Sequence, residues 1–452
     1  MIRKINVSGF RTLSEFSLEL TPGLNILLGP NGGGKTTIIM FFSFINKIFS
    51  TSLPEAISGM GGAGSIFRKK GEKDYERTIS AVIWGTIKQS DDIFNQDISE
   101  IPKAHGRYLD FRYSFSIELS EDGEEVFYSH QQLSIRRTKR KTLHIDRISE
   151  WDFVFTRTRD ESKNVADQVT MERDGAEKKF DTWSFSPKKT NLTDVVTRLV
   201  GAGDCLVHAS RFIGSDVAVA FNLILGNRIL YNPQPDAIRR PEDSAKSPGI
   251  RPDGSGLYAT LLAIKGRKSV SRRMWRSYSN DDVPFQHTIT LDRLTESFKL
   301  AFPALSSIDI NNDPFDNQIR VRITLDSRDN IQLPLASLSD GTLKWMSLAT
   351  GLITTRHIIG IEEPENFIHP AVQRHALELI REQTSDESFV LVSSHSQSII
   401  DAARPEEVIF VKLQDSKTVT SRINDPQHVQ EVVNDSGFGL SFFYLSGALQ
   451  DA

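Results

Sequence analysis

The chain has 452 residues, of which 38% are hydrophobic and 25% are charged, and its formal net charge at pH 7 is −4. This composition is typical of a globular protein and excludes a fibrous or fully disordered chain. The single cysteine, Cys205, excludes a disulfide within the chain and a cysteine-based zinc cluster. The acidic balance requires that any nucleic-acid contact come from a local patch.

The beginning of the chain gives no sign of export or membrane insertion. Residues 1–6 lack the apolar core of a signal peptide. The most apolar run, residues 38–49, contains Ser43, Asn46 and Lys47 and is too short to cross a bilayer. We therefore expect a cytoplasmic protein without membrane contact.

Three strands are predicted near the N-terminus, at residues 2–7, 16–20 and 24–28. The third leads into residues 29–37, which read Gly-Pro-Asn-Gly-Gly-Gly-Lys-Thr-Thr, and an apolar helix follows to about residue 49. A strand, a glycine-rich loop and a helix in this order are typical of a phosphate-binding loop. The glycines let backbone N–H groups surround an anion, and the helix N-terminus adds its positive dipole end.

This loop supplies most of the predicted ligand-binding residues. Lys35 would reach the β- and γ-phosphates, and Thr36 would hold Mg²⁺. The full predicted binding set in the loop is Asn31, Gly32, Gly33, Gly34, Lys35, Thr36 and Thr37. The alternative is a glycine-rich turn that binds nothing.

The middle of the chain reads as an insertion. Residues 52–75 are rich in glycine, serine and charge and predict a loop. Short alternating stretches between residues 78 and 183 predict antiparallel strands. A helix is predicted at 190–200 and a strand at 205–212. Residues 231–256 contain five prolines and three glycines and predict a surface loop or a mobile segment.

The last third alternates between helix and strand. After helices at 255–264 and 288–301 and strands at 319–325 and 330–334, the predicted elements are a helix from 340, a strand at 357–361, a helix at 370–382, a strand at 389–393, a helix at 396–402 and a strand at 407–412. This alternation predicts a largely parallel sheet covered by helices. The sequence contains no heptad run that would form a long coiled coil.

Two candidate catalytic residues follow these strands. The strand at 357–361 ends in Glu362 and Glu363, and such a pair can place one carboxylate near a metal and the other near the attacking water. We assign Glu362 to Mg²⁺ and Glu363 to the water. His395 follows the next strand and could hydrogen-bond a γ-phosphate. The alternatives are a charged turn and a histidine without a role.

A third motif precedes the helix that begins near residue 340. Ser339 is a good N-cap, and Gly341 lets the backbone approach a ligand. A helix N-terminus capped in this way can face a γ-phosphate. An ordinary helix cap is the alternative.

In this order the motifs resemble those of the ABC-type ATPases, and most closely the AAA15/AAA21 group, which is similar to the old-lysogen, Rad50, RecF and SMC heads. Residues 29–37 match Walker A, 338–344 the signature motif and 358–363 Walker B, and His395 matches the switch histidine. Residues 7–13, 253–257 and 362–370 also resemble this group. Glu362 departs from the usual aspartate, and residues 65–68 hold no glutamine where a Q-loop should lie.

The resemblance implies an α/β fold: an ABC-type head with a mixed sheet, covering helices and a β-rich and helical insertion. The expected domains are 1–75 and 331–452, which form the ATPase lobe, and 76–330, the insertion. ATP and Mg²⁺ are the implied cofactors. Two copies would pack head to tail, with ATP between Walker A of one copy and Ser339 and Gly341 of the other, and would hydrolyse it.

The group also implies a function. Only 39 residues follow Leu413, without an Asp-x-Asp pattern, so we expect a separate effector, a nuclease or toxin, in an anti-phage system of the Septu or PARIS kind. The alternative is a RecF- or Rad50-like DNA-repair clamp. Two basic clusters, from Arg136 to Lys141 and from Lys265 to Arg276, could bind nucleic acid or an acidic protein, or could be solvated surface.

Overall fold

A computed structural model of the protein describes residues 1–71, 74–88, 108–139, 141–142, 144–160, 164–170, 192–212, 221, 229–266, 290–354, 358–366, 368–384 and 388–449. The chain forms two compact units. The first comprises Met1–Thr21, Gly32–Arg228 and Lys412–Thr420, and the second comprises Pro22–Asn31, Ile229–Val411 and Ser421–Ala452. The domain boundaries at residues 75 and 330 stay predictions.

The strands, numbered in chain order, are β1 (Ile2–Ser8), β2 (Phe16–Glu19), β3 (Gly23–Leu28), β4 (Thr78–Lys88), β5 (Tyr108–Leu119), β6 (Val126–Thr138), β7 (Phe153–Arg159), β8 (Val165–Thr170), β9 (Ile229–Tyr231), β10 (Glu242–Asp243), β11 (Leu305–Asn312), β12 (Gln318–Leu325), β13 (Gln332–Pro334), β14 (Ile358–Glu362), β15 (Phe389–Ser394), β16 (Val408–Gln414) and β17 (Lys417–Arg422).

The helices are α1 (Lys35–Ser50), α2 (Leu53–Ser58), α3 (Ala63–Ile66), α4 (Leu192–Leu199), α5 (Pro235–Arg239), α6 (Leu257–Lys265), α7 (Leu291–Lys299), α8 (Asp340–Thr354), α9 (Pro370–Gln383), α10 (Gln397–Ala402), α11 (Pro426–Ser436) and α12 (Leu440–Leu445). The longest of them, α1, has 16 residues. In the described part of the chain there is therefore no long coiled coil, as the sequence predicts.

A seven-stranded antiparallel sheet, in the order β2-β1-β4-β5-β6-β7-β8, forms most of the first unit. Side chains alternate between the two faces of a strand, and in β5 every second residue from Leu109 to Ile117 is fully buried. Helix α1 packs in the same unit, where the ring centroids of Phe49 and Tyr113 are 5.7 Å apart. The predicted antiparallel insertion is thus confirmed.

Two predictions in the first unit are wrong. The segment 52–75 is not only a loop, because Ser52 and Glu55 form a capping box that begins α2, and α3 follows. The segment 205–212 is a 3-10 helix over Leu206–Phe212 rather than a strand. The Leu206 N–H donates to the side chain of Gln131 (2.8 Å), so this apolar run is buried against the sheet without joining it.

The second unit is built on a parallel sheet. The six-stranded order is β17-β16-β3-β15-β14-β9, and β16, β3, β15, β14 and β9 pair in parallel. Strands β3 and β15 are almost entirely buried, and buried parallel strands read as continuous apolar runs. Predicted helices and strands between 340 and 412 are confirmed to within about two residues, the usual uncertainty of element ends.

The segment 231–256 is not an unstructured loop. It contains α5 and β10, and the buried carboxylate of Glu242 accepts hydrogen bonds from the N–H groups of Gly256 and Ala259 at the beginning of α6. The prediction missed these short elements because prolines and glycines are typical of loops, although they also terminate and connect helices. Strands β11 and β17 and helices α11 and α12 are additions that the sequence did not predict.

A buried ion pair fixes the end of the antiparallel sheet. Arg157 on β7 and Asp167 on β8 have side chains only 2% and 1% exposed, and Arg157 Nε lies 2.5 Å from Asp167 Oδ1. The same guanidinium also donates to the carbonyl oxygens of Val200 and Gly201. Removing one member leaves a buried charge without its partner.

We expect Arg157→Met to lower the free energy of unfolding by about 3–5 kcal/mol. The matched control is Lys417→Met in the same unit, whose side chain is 35% exposed and pairs with Glu15, which is 79% exposed, and this change should cost at most about 1 kcal/mol. Denaturant titration of both variants provides the measurement. Equal losses would show that the Arg157 pair contributes no more than a surface pair.

Candidate nucleotide-binding and catalytic site

The glycine-rich loop has the geometry of an anion cradle. It leaves β3 at Leu28, and α1 begins at Lys35 with no acidic residue in its first turn, so the positive end of the helix dipole is not neutralised there. Gly32 and Gly34 have φ values of +77° and +107°, which other residues rarely adopt. The boundary between the compact units falls within this loop, after Asn31.

Space around the loop also requires glycine. In the first unit, a Cβ on Gly34 would lie 2.1 Å from Oγ1 of Thr418, which is itself 2.7 Å from Oγ1 of Thr12. In the second unit, a Cβ on Gly29 would lie 1.9 Å from the carbonyl oxygen of Val411. A Cβ on Gly32 would meet nothing within 4 Å, so the loop is backed by protein at its ends and open at its centre.

The three residues at the start of α1 that are predicted to bind the nucleotide differ in solvent exposure. Lys35 is 6% exposed and Thr37 is buried, whereas Thr36 is exposed at the first turn of α1. An exposed hydroxyl at this position can reach a metal ion or a phosphate. These positions fit the predicted binding of a triphosphate.

In the second unit, the parallel strands bring the other predicted residues to one edge. The register pairs Leu28 with Ser394 and Glu362 with Ser393, so β3, β14 and β15 end together. Ligands of parallel sheets bind outside the carboxyl ends of the strands. Glu362, Glu363 and His395 therefore lie at the edge from which the glycine-rich loop leaves.

The two carboxylate oxygens of Glu362 lie in different environments. Its Oε2 accepts a hydrogen bond from Asn232 Nδ2 (3.1 Å), while its buried Oε1 has no hydrogen-bond partner among the described residues. Burial raises the pKa of Glu362, the charge of Glu363 raises it further, and the Asn232 hydrogen bond opposes both. A buried carboxylate oxygen without a donor is costly, and a bound hard cation would offset that cost.

Glu363 has a backbone that other contacts must hold in place. Its φ is +41°, a left-handed conformation that costs a non-glycine residue about 1–2 kcal/mol. Its N–H donates to the carbonyl of Ser393 (3.0 Å), and its Oε2 accepts from Asn366 Nδ2 (2.7 Å). Its carbonyl oxygen accepts from Lys344 Nζ (3.1 Å). Strained residues held in this way concentrate at functional sites.

His395 lies beside this turn. Its Nδ1 is 3.6 Å from Glu363 Oε1, and its side chain is 50% exposed. Glu365 is buried, and its Oε1 accepts hydrogen bonds from the His395 N–H and the Ser394 hydroxyl, both 2.8 Å. One carboxylate and one imidazole thus share an open edge, which suits the orientation of a water molecule and a phosphate.

The signature segment begins α8 as predicted. The N–H of Thr342 donates to Ser339 Oγ (3.3 Å), so Ser339 caps the helix, and Gly341 lies in its first turn. Arg239 Nη2 lies 2.5 Å from Asp340 Oδ1 and donates to the carbonyl oxygen of Leu338 (3.0 Å). Because Arg239 neutralises Asp340, this helix N-terminus remains suited to an anion.

That the two basic clusters bind a partner stays a prediction, although one cation in each has an acidic neighbour. Arg136 pairs with the fully buried Asp110 (2.9 Å), and Lys265 pairs with Asp309 (3.2 Å). Both cations are therefore held by the fold itself. Arg140 and residues 267–276 lie outside the described residues.

Sequence reasoning missed four residues that support the site. Glu365 and Asn366 belong to the run 362–370, which was recognised only as a family resemblance. Lys344 belongs to the signature segment, but α8 is buried at every residue from Thr342 to Thr354, so no helical periodicity marks its position. Asn232 is 130 positions from Glu362, and no local pattern connects the two.

Two kinds of feature are absent from the described residues. No group of three or more His, Cys, Asp or Glu side chains is arranged there to hold a metal ion. A Mg²⁺ ion bound with a nucleotide needs fewer protein ligands, because phosphate and water oxygens fill the remaining positions. Nor is any described helix long and apolar enough to cross a membrane.

Two known protein families match parts of the chain. Residues 1–195 match a family described as "AAA ATPase domain" (AAA_15). Residues 208–401 match one described as "AAA domain, putative AbiEii toxin, Type IV TA system" (AAA_21). Together the matched ranges contain the glycine-rich loop, the signature segment, the carboxylate pair and His395.

Solved structures with a similar chain course are heads of SMC proteins. An SMC head bound to the C-winged helix domain of ScpA is 12% identical, with 93% of this chain and 97% of that chain covered and a TM-score of 0.47. An SMC head with an extended coiled coil, bound to the C-terminal domain of ScpA derived from Pyrococcus furiosus, is 13% identical, with coverages of 96% and 99% and a TM-score of 0.44. The SMC head domain from Thermotoga maritima is 12% identical, with coverages of 94% and 99% and a TM-score of 0.34.

The loop, the carboxylate turn and the family matches define a nucleotide-binding P-loop ATPase. More narrowly, the matches over residues 1–195 and 208–401 support an ABC-type P-loop ATPase of the AAA15/AAA21 group.

The contacts of Gly34 generate a prediction about stability. Gly34→Ala should destabilise the protein more than Gly32→Ala, because both require a left-handed alanine but only residue 34 also collides with Thr418. We expect a difference of about 1–3 kcal/mol in the free energy of unfolding without nucleotide.

A second substitution isolates the collision. Thr418→Ala removes two of the three atoms that a Cβ on Gly34 would approach, so it should recover part of the loss in Gly34→Ala and none in Gly32→Ala. Denaturant titrations of the two double variants test this. Equal recovery in both would contradict the assigned contact.

Proposed function

We propose that this ATPase binds ATP with Mg²⁺ and closes head to tail with a second copy, and that the closed state controls a separate effector in bacterial anti-phage defence. The observation that carries the proposal is the carboxylate turn, in which Glu363 is held beside His395 in a strained backbone conformation. Such a constrained turn is favoured where a side chain must be oriented for chemistry.

Each predicted residue has a role in this proposal. Thr36 and Glu362 would hold Mg²⁺, and the ion supplies positive charge to the phosphate oxygens. Lys35 and the loop N–H groups bind the phosphates. Glu363 orients the attacking water and accepts its proton, and His395 donates a hydrogen bond to the γ-phosphate.

The N-terminus of α8 supports closure with a second copy. Its first turn contains Ser339 and Gly341, and Arg239 removes the repulsion that Asp340 would exert on a phosphate. We assign this helix end to the γ-phosphate held by the partner copy. ATP then stabilises the closed pair because it binds that state more tightly than the open one.

The defence role draws on the family description of residues 208–401, which calls that domain a putative AbiEii toxin of a type IV toxin–antitoxin system, and the separate effector is our own addition to it. An ATPase in such a system would pass its nucleotide state to a nuclease or toxin encoded beside it. Co-expression with the neighbouring gene products, followed by purification with and without ATP, tests for an ATP-dependent complex. DNA affinity with a steep salt dependence, and no protein partner, would instead favour a repair clamp.

Two substitutions separate binding from hydrolysis. Lys35→Ala should abolish ATP binding, since it removes the charge that the loop directs at the phosphates. Glu363→Gln should bind ATP, hydrolyse it about 10²–10⁴-fold more slowly and remain as an ATP-dependent dimer, because glutamine can still accept the Asn366 hydrogen bond but cannot accept a proton.

Nucleotide binding by calorimetry, phosphate release and light scattering measure these three properties. The wild-type protein with a non-hydrolysable analogue serves as the control for dimer formation. Native-rate hydrolysis by Glu363→Gln would contradict the role of Glu363, and a monomer under all conditions would contradict closure.

Two asparagines test the separate roles of the carboxylates. Asn232→Ala removes the donor to Glu362, and we expect the Mg²⁺ concentration needed for half-maximal ATP binding to rise about 10-fold, as for other residues that orient metal ligands. Asn366→Ala is the matched control, because it releases Glu363 instead and should lower the hydrolysis rate at an unchanged Mg²⁺ requirement. Identical Mg²⁺ titrations for both variants would remove Asn232 from the metal site.

A further inference from the structure

Lys344 is a buried cation that joins the signature helix to the catalytic turn of the same chain. It is 2% exposed, and its Nζ lies 3.1 Å from the carbonyl oxygen of Glu363. Burial lowers the pKa of Lys344, and the charges of Glu365 and Glu363 oppose that shift. Burying a lysine costs free energy, so its retention at this position requires the acidic turn that it contacts.

Helix α8 can transmit a displacement between its ends. Its residues from Thr342 to Thr354 are all buried. The Ser347 hydroxyl donates to the carbonyl of Gly254 (2.8 Å), and a Cβ on Gly351 would lie 2.6 Å from the hydroxyl of Tyr231. A closely packed helix moves as a unit, and Ser339 and Lys344 are only about 7.5 Å apart along its axis.

The hydrogen bond from Lys344 holds the backbone of Glu363, and the conformation of that backbone sets the direction of the carboxylate. The carbonyl that Lys344 holds belongs to a residue with a left-handed φ, and relaxation of that backbone would redirect the side chain. The N–H of the same residue is fixed to β15 through Ser393. Of the two peptide groups that flank the Cα of Glu363, one is therefore anchored to the sheet and the other to α8.

We propose that Lys344 is a positioning residue, which couples the signature end of α8 to Glu363 of the same chain. This inference rests on the proposed head-to-tail closure, in which Ser339 contacts the ATP bound by the partner copy. Glu363 acts on the ATP bound by its own copy. Lys344 therefore makes hydrolysis at one site depend on occupancy of the other.

The test compares Lys344→Met, which has similar length and no donor, with Lys344→Arg, which keeps a cation and donors. For Lys344→Met we expect kcat to fall about 100-fold, as for a displaced catalytic group, with KM changed less than about twofold. The Hill coefficient for ATP hydrolysis should fall to about 1, because the sites no longer influence each other. Lys344→Arg should recover both the rate and the cooperativity in part.

Lys299→Met is the surface control, because the Lys299 side chain is 38% exposed and pairs only with Glu296 in its own helix among the contacts described for it. Its kcat and Hill coefficient should match those of the wild-type protein. If Lys344→Met does not fold, Lys344→Gln, which keeps a polar head group but is shorter and uncharged, replaces it under the same criteria. A folded variant that binds ATP and retains wild-type kcat and cooperativity overturns the inference.

A double variant shows whether Lys344 acts through Glu363. If it does, Lys344→Met in the Glu363→Gln background should not slow single-turnover hydrolysis further, because the group that it positions is already inactive. A further 100-fold loss would overturn the inference. Neither result depends on the dimer assay of the wild-type protein and of Glu363→Gln, so failure of the coupling and failure of the proposed closure are distinguishable.

Discussion

The site depends on the register of three parallel strands. Because Glu362 pairs with Ser393 and Leu28 pairs with Ser394, β3, β14 and β15 end at one level, and the glycine-rich loop, the carboxylates and His395 all leave from it. A slip of one residue would reverse the side-chain directions of a strand. The buried carboxylate of Glu365 secures this level by binding Ser394 and His395 together. The order of the strands thus brings segments that are distant in sequence to one edge of the sheet.

Several residues at this edge adopt energetically unfavourable arrangements, and packing elsewhere in the fold offsets their cost. Glu363 has a strained backbone, and one oxygen each of Glu362 and Glu365 is buried without a hydrogen-bond partner among the described residues. Each of these features costs about 1–3 kcal/mol, and six other described non-glycine residues also have a positive φ, so the left-handed backbone alone does not distinguish this turn. They are compatible with a stable fold because the buried strands β3 and β15 and helix α8 surround them with a well-packed core. We interpret their clustering as preparation for a ligand rather than as imperfect folding.

The sequence predicted the residues of the site better than their environment. Lys35, Glu363 and His395 follow apolar strands or a glycine-rich loop, and such transitions are visible locally. The link from Asn232 to Glu362 depends on which strand lies beside β14, and no pattern in one sequence reveals that pairing. The error at residues 205–212 has the same origin, since an apolar run predicts burial but does not reveal tertiary contacts such as the hydrogen bond from the Leu206 N–H to Gln131. Tertiary contacts override local preference at such places.

The replacement of aspartate by Glu362 becomes understandable from these tertiary contacts. The additional methylene gives the carboxylate more freedom, and flexible ligands lose affinity because ordering them costs entropy. Asn232 removes that freedom by holding Oε2, which leaves Oε1 as the buried oxygen available to a cation. The segment that carries Asn232 also carries Arg239, which holds Leu338 and Asp340 ahead of α8. One proline-rich segment therefore contacts both the carboxylate proposed to hold the metal and the helix end proposed to face the partner's nucleotide.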